Sequence, residues 1–359
     1  MKPIKKIKIV FVLPSLRAGG AERVMSYIAQ SLDKNKFKAS LLIVGFKKDA
    51  VFDVNDIEIT FLNKNRVLHA FFPIAKYLIQ NKPQIVISAI GHLNTLMGVQ
   101  ALFFPKIKFV AREVNVMSVL SNIEVPKRNF FKSLPKFSYD QLDKIICQSQ
   151  DMAIDIRGKY NLQENELVII NNPISDKFQV KKEATSNSVK QFITVGSLNK
   201  RKGHLRILNV LSNYSEPFTY TLIGEGIEMD TIFSHAKKFG ILDKIKHIPF
   251  TKDVSKYLQE SDVFLQGSYV EGFPNALLES CAVGTPVIAF KAPGGIDEII
   301  EEDVNGYIAK DEADFLIKLN LIGEKHWDPA VVRDSVYKKY SKDIIIKKYQ
   351  DLFIDLNKD

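Results

Sequence analysis

The chain has 359 residues, 46% hydrophobic and 25% charged, an ordinary globular mix long enough for two domains with sizeable cores. Its two cysteines, Cys147 and Cys281, lie in apolar stretches and no Cys/His cluster has zinc-ligand spacing; this argues against a disulfide framework or zinc staple and for two buried free thiols in a reducing compartment. Of the net charge of +9, residues 1–170 hold 25 Lys and Arg against 14 Asp and Glu, a surplus of 11, and the remainder runs to −2 with 25 against 27. A basic half asks for an anionic partner, nucleic acid or an anionic membrane surface, with plain solubility charge the alternative for any one lysine.

The first strand is expected at 7–13. Its apolar part, 9–13, is too short for a signal-peptide core, and Pro14 and Arg17 follow at once. No stretch approaches ~20 uncharged apolar residues, so no membrane span is expected. A Pro/Ser/Gly turn leads to a helix from about Ala21. Further β-branched and apolar runs at 41–44, 57–61, 85–89, 108–111, 144–147 and 168–170 alternate with amphipathic stretches such as 74–80 and 151–159. That alternation predicts βαβ units on a mostly parallel sheet. It pauses at Asn171-Asn172-Pro173-Ile174-Ser175, and polar residues 181–190 soon follow, which places the linker near Asn172.

A second series then runs through 191–195, 218–223, 246–248, 263–266 and 286–290, with helical patterns at 230–239 and 275–282. The tail, 344–356, has Tyr349, Leu352, Phe353 and Leu356 at helical spacing. The domains are drawn as 1–171 and 172–342, with a C-terminal helix over 343–359 expected to pack back on the first.

Ligands of open parallel sheets bind outside the carboxyl ends of strands, so the residues after each strand carry the functional reading. Gly19-Gly20-Ala21-Glu22-Arg23 follows the first strand; glycines before a helix let backbone N–H groups approach an anion, and a plain tight turn is equally consistent. In the second series Gly196-Ser197-Leu198-Asn199-Lys200-Arg201-Lys202-Gly203 sets three successive cations between glycines, which suits a pyrophosphate better than a solvated basic turn. Gly224-Glu225-Gly226 is a further strand-end loop. The most specific segment is Glu271-Gly272-Phe273-Pro274-Asn275-Ala276-Leu277-Leu278-Glu279. Pro274 fits the first turn of a helix, Glu271 then precedes that helix, and Glu279 lies within it, where a carboxylate can accept from two hydroxyls of a ribose. Gly294-Gly295 follows the next apolar strand.

These motifs make the chain resemble glycosyltransferase family 4, over nearly its whole length, and the Gly-Gly-Ala-Glu-Arg opening resembles the branch that builds bacterial surface glycans and lipid-linked oligosaccharides. The resemblance implies an α/β fold of the GT-B type, two Rossmann-like domains facing across a deep cleft. It implies a retaining transfer of a hexose or N-acetylhexosamine from a nucleotide-diphosphate sugar, UDP being the base expectation, to a glycan or polyprenyl-diphosphate-linked acceptor. It also implies no metal and no cofactor, the leaving phosphate being stabilised by cations and helix N-termini.

By the same resemblance Lys202 would contact the donor diphosphate, Glu279 the ribose hydroxyls and Glu271 the donor sugar. Backbone amides of Phe273, Asn275 and Ala276 would line the pocket with Gly196, Gly224 and Glu225, and Gly19 and Gly20 would approach the β-phosphate. Two departures stand out. Ser197 occupies the place of an Arg found in many members, and Arg201 or Lys200 is expected to supply its charge. Where some members carry a catalytic His, this chain has Arg112-Glu113-Val114-Asn115, so Glu113 or Arg112 is expected to contact sugar, with His92 a second candidate and His69, His235 and His326 structural.

Residues 125–137 interleave cations with aromatics and, with Lys5, Lys6, Lys34, Lys36, Lys47 and Lys48, could dock on anionic lipid; a solvated helix with core phenylalanines is nearly as consistent. A cytoplasmic enzyme, peripheral on the membrane, is expected. The rivals are a nucleic-acid binder, for which no base-reading motif is present, an epimerase of the same fold, and a non-catalytic partner subunit.

Overall fold

The computed structural model describes residues 6–17, 19–51, 53–119, 134–182 and 189–358. The chain divides into two compact units. One comprises Met1–Val114, Pro126–Pro173 and Asp343–Asp359, and the other Asn115–Val125 and Ile174–Lys342.

The first unit is built on a seven-stranded sheet, β1 (Ile7–Leu13), β2 (Phe37–Ile43), β3 (Glu58–Phe61), β4 (Ile85–Ala89), β5 (Lys108–Arg112), β6 (Lys144–Cys147) and β7 (Leu167–Ile169), in the order β3-β2-β1-β4-β5-β6-β7. Every pairing is parallel, from Ile7 opposite Phe37 to Leu13 opposite Ile43 along the longest ladder. β1 and β4 are apolar almost throughout because both faces are covered by helices. The Lys342–Leu356 helix supplies part of that cover: the Phe353 ring meets Phe11 and Phe37 edge-on, each at 6.3 Å. Cys147 and Cys281 are both buried and free, and burial pushes both thiols well up.

The second unit carries a six-stranded parallel sheet in the order β10-β9-β8-β11-β12-β13. Its strands are β8 (Lys190–Val195), β9 (Phe218–Ile223), β10 (Ile245–Ile248), β11 (Val263–Gln266), β12 (Val287–Phe290) and β13 (Gly306–Ala309). The edge strand β13 is missing from the pattern read in the sequence. Four residues opening with glycine carry too little periodicity, and Gly306 is needed because a Cβ there would stand 2.0 Å from the Val287 carbonyl oxygen.

In both sheets the order of strands reverses at one place, between β1 and β4 in the first and between β8 and β11 in the second, with all strands parallel. In doubly wound sheets that switch point opens a crevice for ligands. The loops leaving these four strands are therefore the ones to inspect.

Candidate active site

In the second unit the loops after β8 and β11 meet. From Val195 the chain runs through Gly196, Ser197 and Leu198 into one tight turn, Lys200–Lys202, capped by Asn199, whose Oδ1 accepts from the Lys202 N–H at 3.2 Å. Gly203 closes the turn at φ +58° and opens the His204–Ser212 helix. A Cβ at Gly203 would lie 2.0 Å from the Gly267 carbonyl oxygen, so glycine alone lets the cationic turn lie on the backbone leaving β11. Tyr269 N–H then donates to the Arg201 carbonyl at 2.8 Å.

Glu271 is the meeting point. Its Oε1 accepts from Lys202 Nζ at 2.6 Å, Gln266 Nε2 at 2.7 Å and Ser268 Oγ at 2.5 Å. Its N–H donates to the Pro293 carbonyl at 3.0 Å. The Glu271 carbonyl is covered by Gly294 at φ +114°, where a Cβ would approach to 2.1 Å. The Glu271 side chain is 6% exposed and that of Lys202 20%. Burial acts to raise the carboxyl. The Lys202 charge and hydrogen bond, the Ser268 hydroxyl and the Arg201 charge outweigh it, and Glu271 titrates below its ordinary 4.5.

Around this pair the remaining expected residues fall as follows. Arg201 is half-buried, and its guanidinium donates to Asn115 within the same unit, while Lys200 and Ser197 are exposed. Of the two cations considered as stand-ins for an arginine at Ser197, Arg201 is the one whose charge reaches Glu271. Glu279 is buried in the Asn275–Ala282 helix. Pro274 takes the N-cap of that helix, one position earlier than expected. Phe273 is buried with its ring 5.4 Å from Tyr340, edge-on, which leaves only its backbone to a ligand; Asn275 and Ala276 are half-buried. The Gly224-Glu225-Gly226 loop packs on the β8 loop: Leu198 N–H donates to the Glu225 carbonyl at 2.8 Å, and a Cβ on Gly224 would meet the Gly196 carbonyl at 1.9 Å. These two glycines serve loop-on-loop packing, and the Glu225 side chain is exposed.

Several residues of this cluster escaped the sequence reading. Arg206 donates through Nε to the Gly267 carbonyl at 2.5 Å and through Nη2 to the Ser268 carbonyl. Its guanidinium lies 4.2 Å from the Tyr269 ring and 4.0 Å from the Phe290 ring. Burial lowers its pKa to about 10, against the pull of Tyr269 and Glu312. Arg206 thus ties the helix behind Lys202 to the loop before Glu271. His247 Nε2 sits 2.8 Å from the Gly224 carbonyl, and His204 Nε2 lies 3.1 Å from that of Ser197. No motif marks these positions; the only available signal is a polar residue inside an apolar run.

In the first unit, Gly19 caps the Gly20–Ser31 helix without a side-chain bond. The Glu22 carboxylate folds back over it, so close that a Cβ on Gly19 would lie 2.1 Å from Glu22 Oε2. Burial raises the Glu22 carboxyl, and a bond to its own backbone only partly offsets this. The helix end expected to face a phosphate therefore holds the chain's own carboxylate. After β4, Ile90 adopts φ +80°, a sparsely populated region for a β-branched residue. His92 follows on the first turn of the Gly91–Ala101 helix, exposed, with its imidazole depressed by desolvation.

Glu113 and Arg112 correct the sequence reading. One or the other is expected to touch sugar, and both are buried, at 1% and 0% exposure. Glu113 Oε1 accepts from Tyr139 and, at 2.9 Å, from Asn94 Nδ2; Asn94 in turn accepts from Ser88 at 2.8 Å. Burial raises the Glu113 carboxyl above its ordinary value, and the Tyr139 and Asn94 bonds do not offset it. Arg112 donates to Asn172 and, at 3.1 Å, to the Tyr349 hydroxyl. They sit at the end of β5, under the Leu134–Tyr139 helix and the C-terminal helix, with their bonds inside the unit; only the Arg112 Nη1 is buried without a hydrogen-bond partner.

Residues 125–133 and Lys5, part of the expected membrane segment, lie outside the described residues. Among the described residues no helix is long and apolar enough to cross a membrane, and no group of three or more His, Cys, Asp or Glu could hold a metal ion.

Comparison with known proteins follows the same division. Residues 18–178 match the family model described as Glycosyltransferase Family 4, and residues 175–322 the model described as Glycosyl transferases group 1. The chain is 23% identical to the amylovoran biosynthesis glycosyltransferase AmsD of Erwinia amylovora, over 93% of this chain and 96% of the relative. It is also 23% identical to the N-acetylgalactosamine-N,N'-diacetylbacillosaminyl-diphospho-undecaprenol 4-alpha-N-acetylgalactosaminyltransferase of Campylobacter jejuni, over 84% and 86%. Anabaena HepE in complex with UDP superposes with a TM-score of 0.79 at 16% identity, covering 97% of this chain and all (100%) of that one. These structural likenesses establish the GT-B fold class.

Proposed function

The chain belongs to glycosyltransferase family 4, and from that premise we propose that it moves a hexose or N-acetylhexosamine from a UDP-sugar to a lipid-linked acceptor in bacterial surface polysaccharide synthesis, with retention at the anomeric carbon. The observation that carries the reading is the Lys202–Glu271 pair at the switch point of the second sheet, 2.6 Å apart. An ammonium has three N–H donors. One is spent on Glu271, and the other two are free in number to take oxygens of a donor diphosphate, with Arg201 beside them. Charge that develops on the departing phosphate would meet fixed cations, the arrangement that stabilises a leaving group most. Glu279 would hold the ribose hydroxyls.

Transfer breaks the bond from the anomeric carbon to the diphosphate oxygen and forms one to the acceptor oxygen on the same face. The acceptor proton has two places to go. Glu271 is held below the ordinary carboxylate range and is therefore a weak base at neutral pH. The departing phosphate oxygen is the better acceptor, and no separate general base is needed. The UDP carried by the Anabaena HepE complex and the diphospho-undecaprenol in the Campylobacter relative's name support the donor and acceptor classes. The enzyme would work at the inner face of the membrane that holds such an acceptor.

The test is a thermal-shift panel of nucleotide sugars, since a ligand bound only by the folded state raises its melting point, followed by UDP release with a polyprenyl-diphosphate-linked sugar. Stabilisation by UDP-sugars and acceptor-dependent UDP release are expected. Stabilisation by a different nucleotide would reject the donor, and UDP release indifferent to added acceptor would reject the transfer.

A further inference from the structure

The first unit exposes an apolar cluster that the fold does not need. Leu68, Phe72 and Phe103 are 77%, 80% and 64% exposed, and Leu102 stands out beside them. Phe72 and Phe103 meet through Phe71, whose ring lies edge-on to them at 5.4 and 6.2 Å; the Phe71 N–H donates to the Leu68 carbonyl, Gln100 Nε2 donates to the Phe71 carbonyl at 2.7 Å, and Leu102 adjoins Phe103 in the chain. Large exposed aromatics gathered in one place mark an interaction surface.

Charge indicates what kind. From residue 59 to residue 112 the sequence contains no Asp or Glu, while it contains Lys64, Arg66, Lys76, Lys82, Lys106, Lys108 and Arg112. Arg66, Lys76 and Lys106 are exposed. Arg66 precedes Leu68 by two residues, Lys76 lies one helical turn from Phe72, and Lys106 follows Phe103 by three. A bilayer with anionic headgroups is met by a cationic rim around apolar and aromatic tips, and this face carries both with no carboxylate from residue 59 to residue 112.

We propose that Leu68, Phe72, Leu102 and Phe103, rimmed by Arg66, Lys76 and Lys106, are the face by which the chain docks on a bilayer containing anionic lipid. This names the surface for the membrane setting given above and uses residues other than 125–137. The aromatic tips enter the headgroup layer, and the cations supply attraction that salt weakens.

The test is co-sedimentation of the full chain with vesicles of phosphatidylcholine alone or with phosphatidylglycerol, at low and high salt. The wild type should bind the phosphatidylglycerol vesicles and lose them in salt. A Phe72→Ser/Phe103→Ser variant should bind at least tenfold more weakly. Each cation near an anionic surface is worth about fivefold in binding, so Arg66→Gln/Lys76→Gln/Lys106→Gln together should cost about a hundredfold and flatten the salt dependence. Equal binding to both vesicle types, wild-type binding by either variant, or no binding at all overturns the proposal. So does a dimer in solution that the phenylalanine variant abolishes, because a second copy would then cover the patch. Melting points confirm that the variants fold. UDP-sugar stabilisation measured without vesicles should be the same in all three proteins; its absence would count against the donor reading while leaving the vesicle result standing.

Discussion

Two buried glutamates, Glu113 in the first unit and Glu271 in the second, are about equally withdrawn from water, yet their carboxyls shift in opposite directions. Burial pushes both upward. Glu113 is answered by neutral donors, Tyr139 and Asn94, which do not offset it. Glu271 is answered by the Lys202 ammonium at 2.6 Å with the Arg201 charge nearby, and these do. The basic surplus of 11 lies in the half that carries Glu113. Net charge therefore does not set the direction in which a buried carboxyl shifts; a bonded cation does. Glu22 makes the same point, since it is raised by burial with no cation bonded to it among the contacts described.

The strongest way to break this contrast is Lys202→Met. Glu271 would keep Gln266 and Ser268 but lose its cation. Losing one partner of a fully buried pair costs about 3–5 kcal/mol; because Lys202 keeps a fifth of its side chain exposed, about 2–3 kcal/mol of stability is expected. Sugar transfer should fall by about a hundred- to a thousandfold, the usual loss of one charge stabiliser. Turnover within a few-fold of wild type would remove Lys202 from the chemistry. Gly203→Ala attacks the same pair through the backbone. The new Cβ meets the Gly267 carbonyl and the residue must hold φ +58°, so about 3 kcal/mol of destabilisation is expected in denaturant titration. Arg206→Gln loosens the loop that carries Glu271 without touching the pair. Loss of its charged hydrogen bonds and ring contacts should cost about 2 kcal/mol and lower the melting point; an unchanged melting point would show that the fork is idle.

Much of this is legible in the sequence. Strands at 85–89, 144–147, 218–223 and 263–266 show as apolar runs because strands covered on both faces are apolar throughout. Lys202 and Glu271 were legible because glycines and charges cluster at strand ends. Other features were not. The Glu22 carboxylate over Gly19 depends on a rotamer, which no spacing records. Glu113 and Arg112 follow a strand just as a ligand-facing pair would, and only the Leu134–Tyr139 and Lys342–Leu356 helices, distant in sequence, decide that they are buried. Arg206 was invisible because its partners are backbone carbonyls 61 and 62 residues away.

The smallest effect is the sharpest test, because it predicts a difference in sign. Glu271 titrates below its ordinary 4.5 in the folded chain, so its contribution is present above pH 4.5 and fades as the pH falls through the folded value. Glu113 titrates above 4.5 when folded, so its folded form is favoured below that pH, and the advantage is lost as the pH rises through the folded value. Glu271→Gln should therefore match wild type in strong acid and be less stable at neutral pH. Glu113→Gln keeps an oxygen for Tyr139 and Asn94, so it should match wild type near pH 4.5 and be more stable at neutral pH. Each difference should be on the order of 1 kcal/mol, read from melting curves between about pH 2 and pH 8. A Glu271→Gln curve that does not fall below wild type at neutral pH would mean that Lys202 does not hold the Glu271 carboxyl down, and the charge assignment at the candidate site would fail with it; a Glu113→Gln curve below wild type would overturn only the Glu113 half of the contrast.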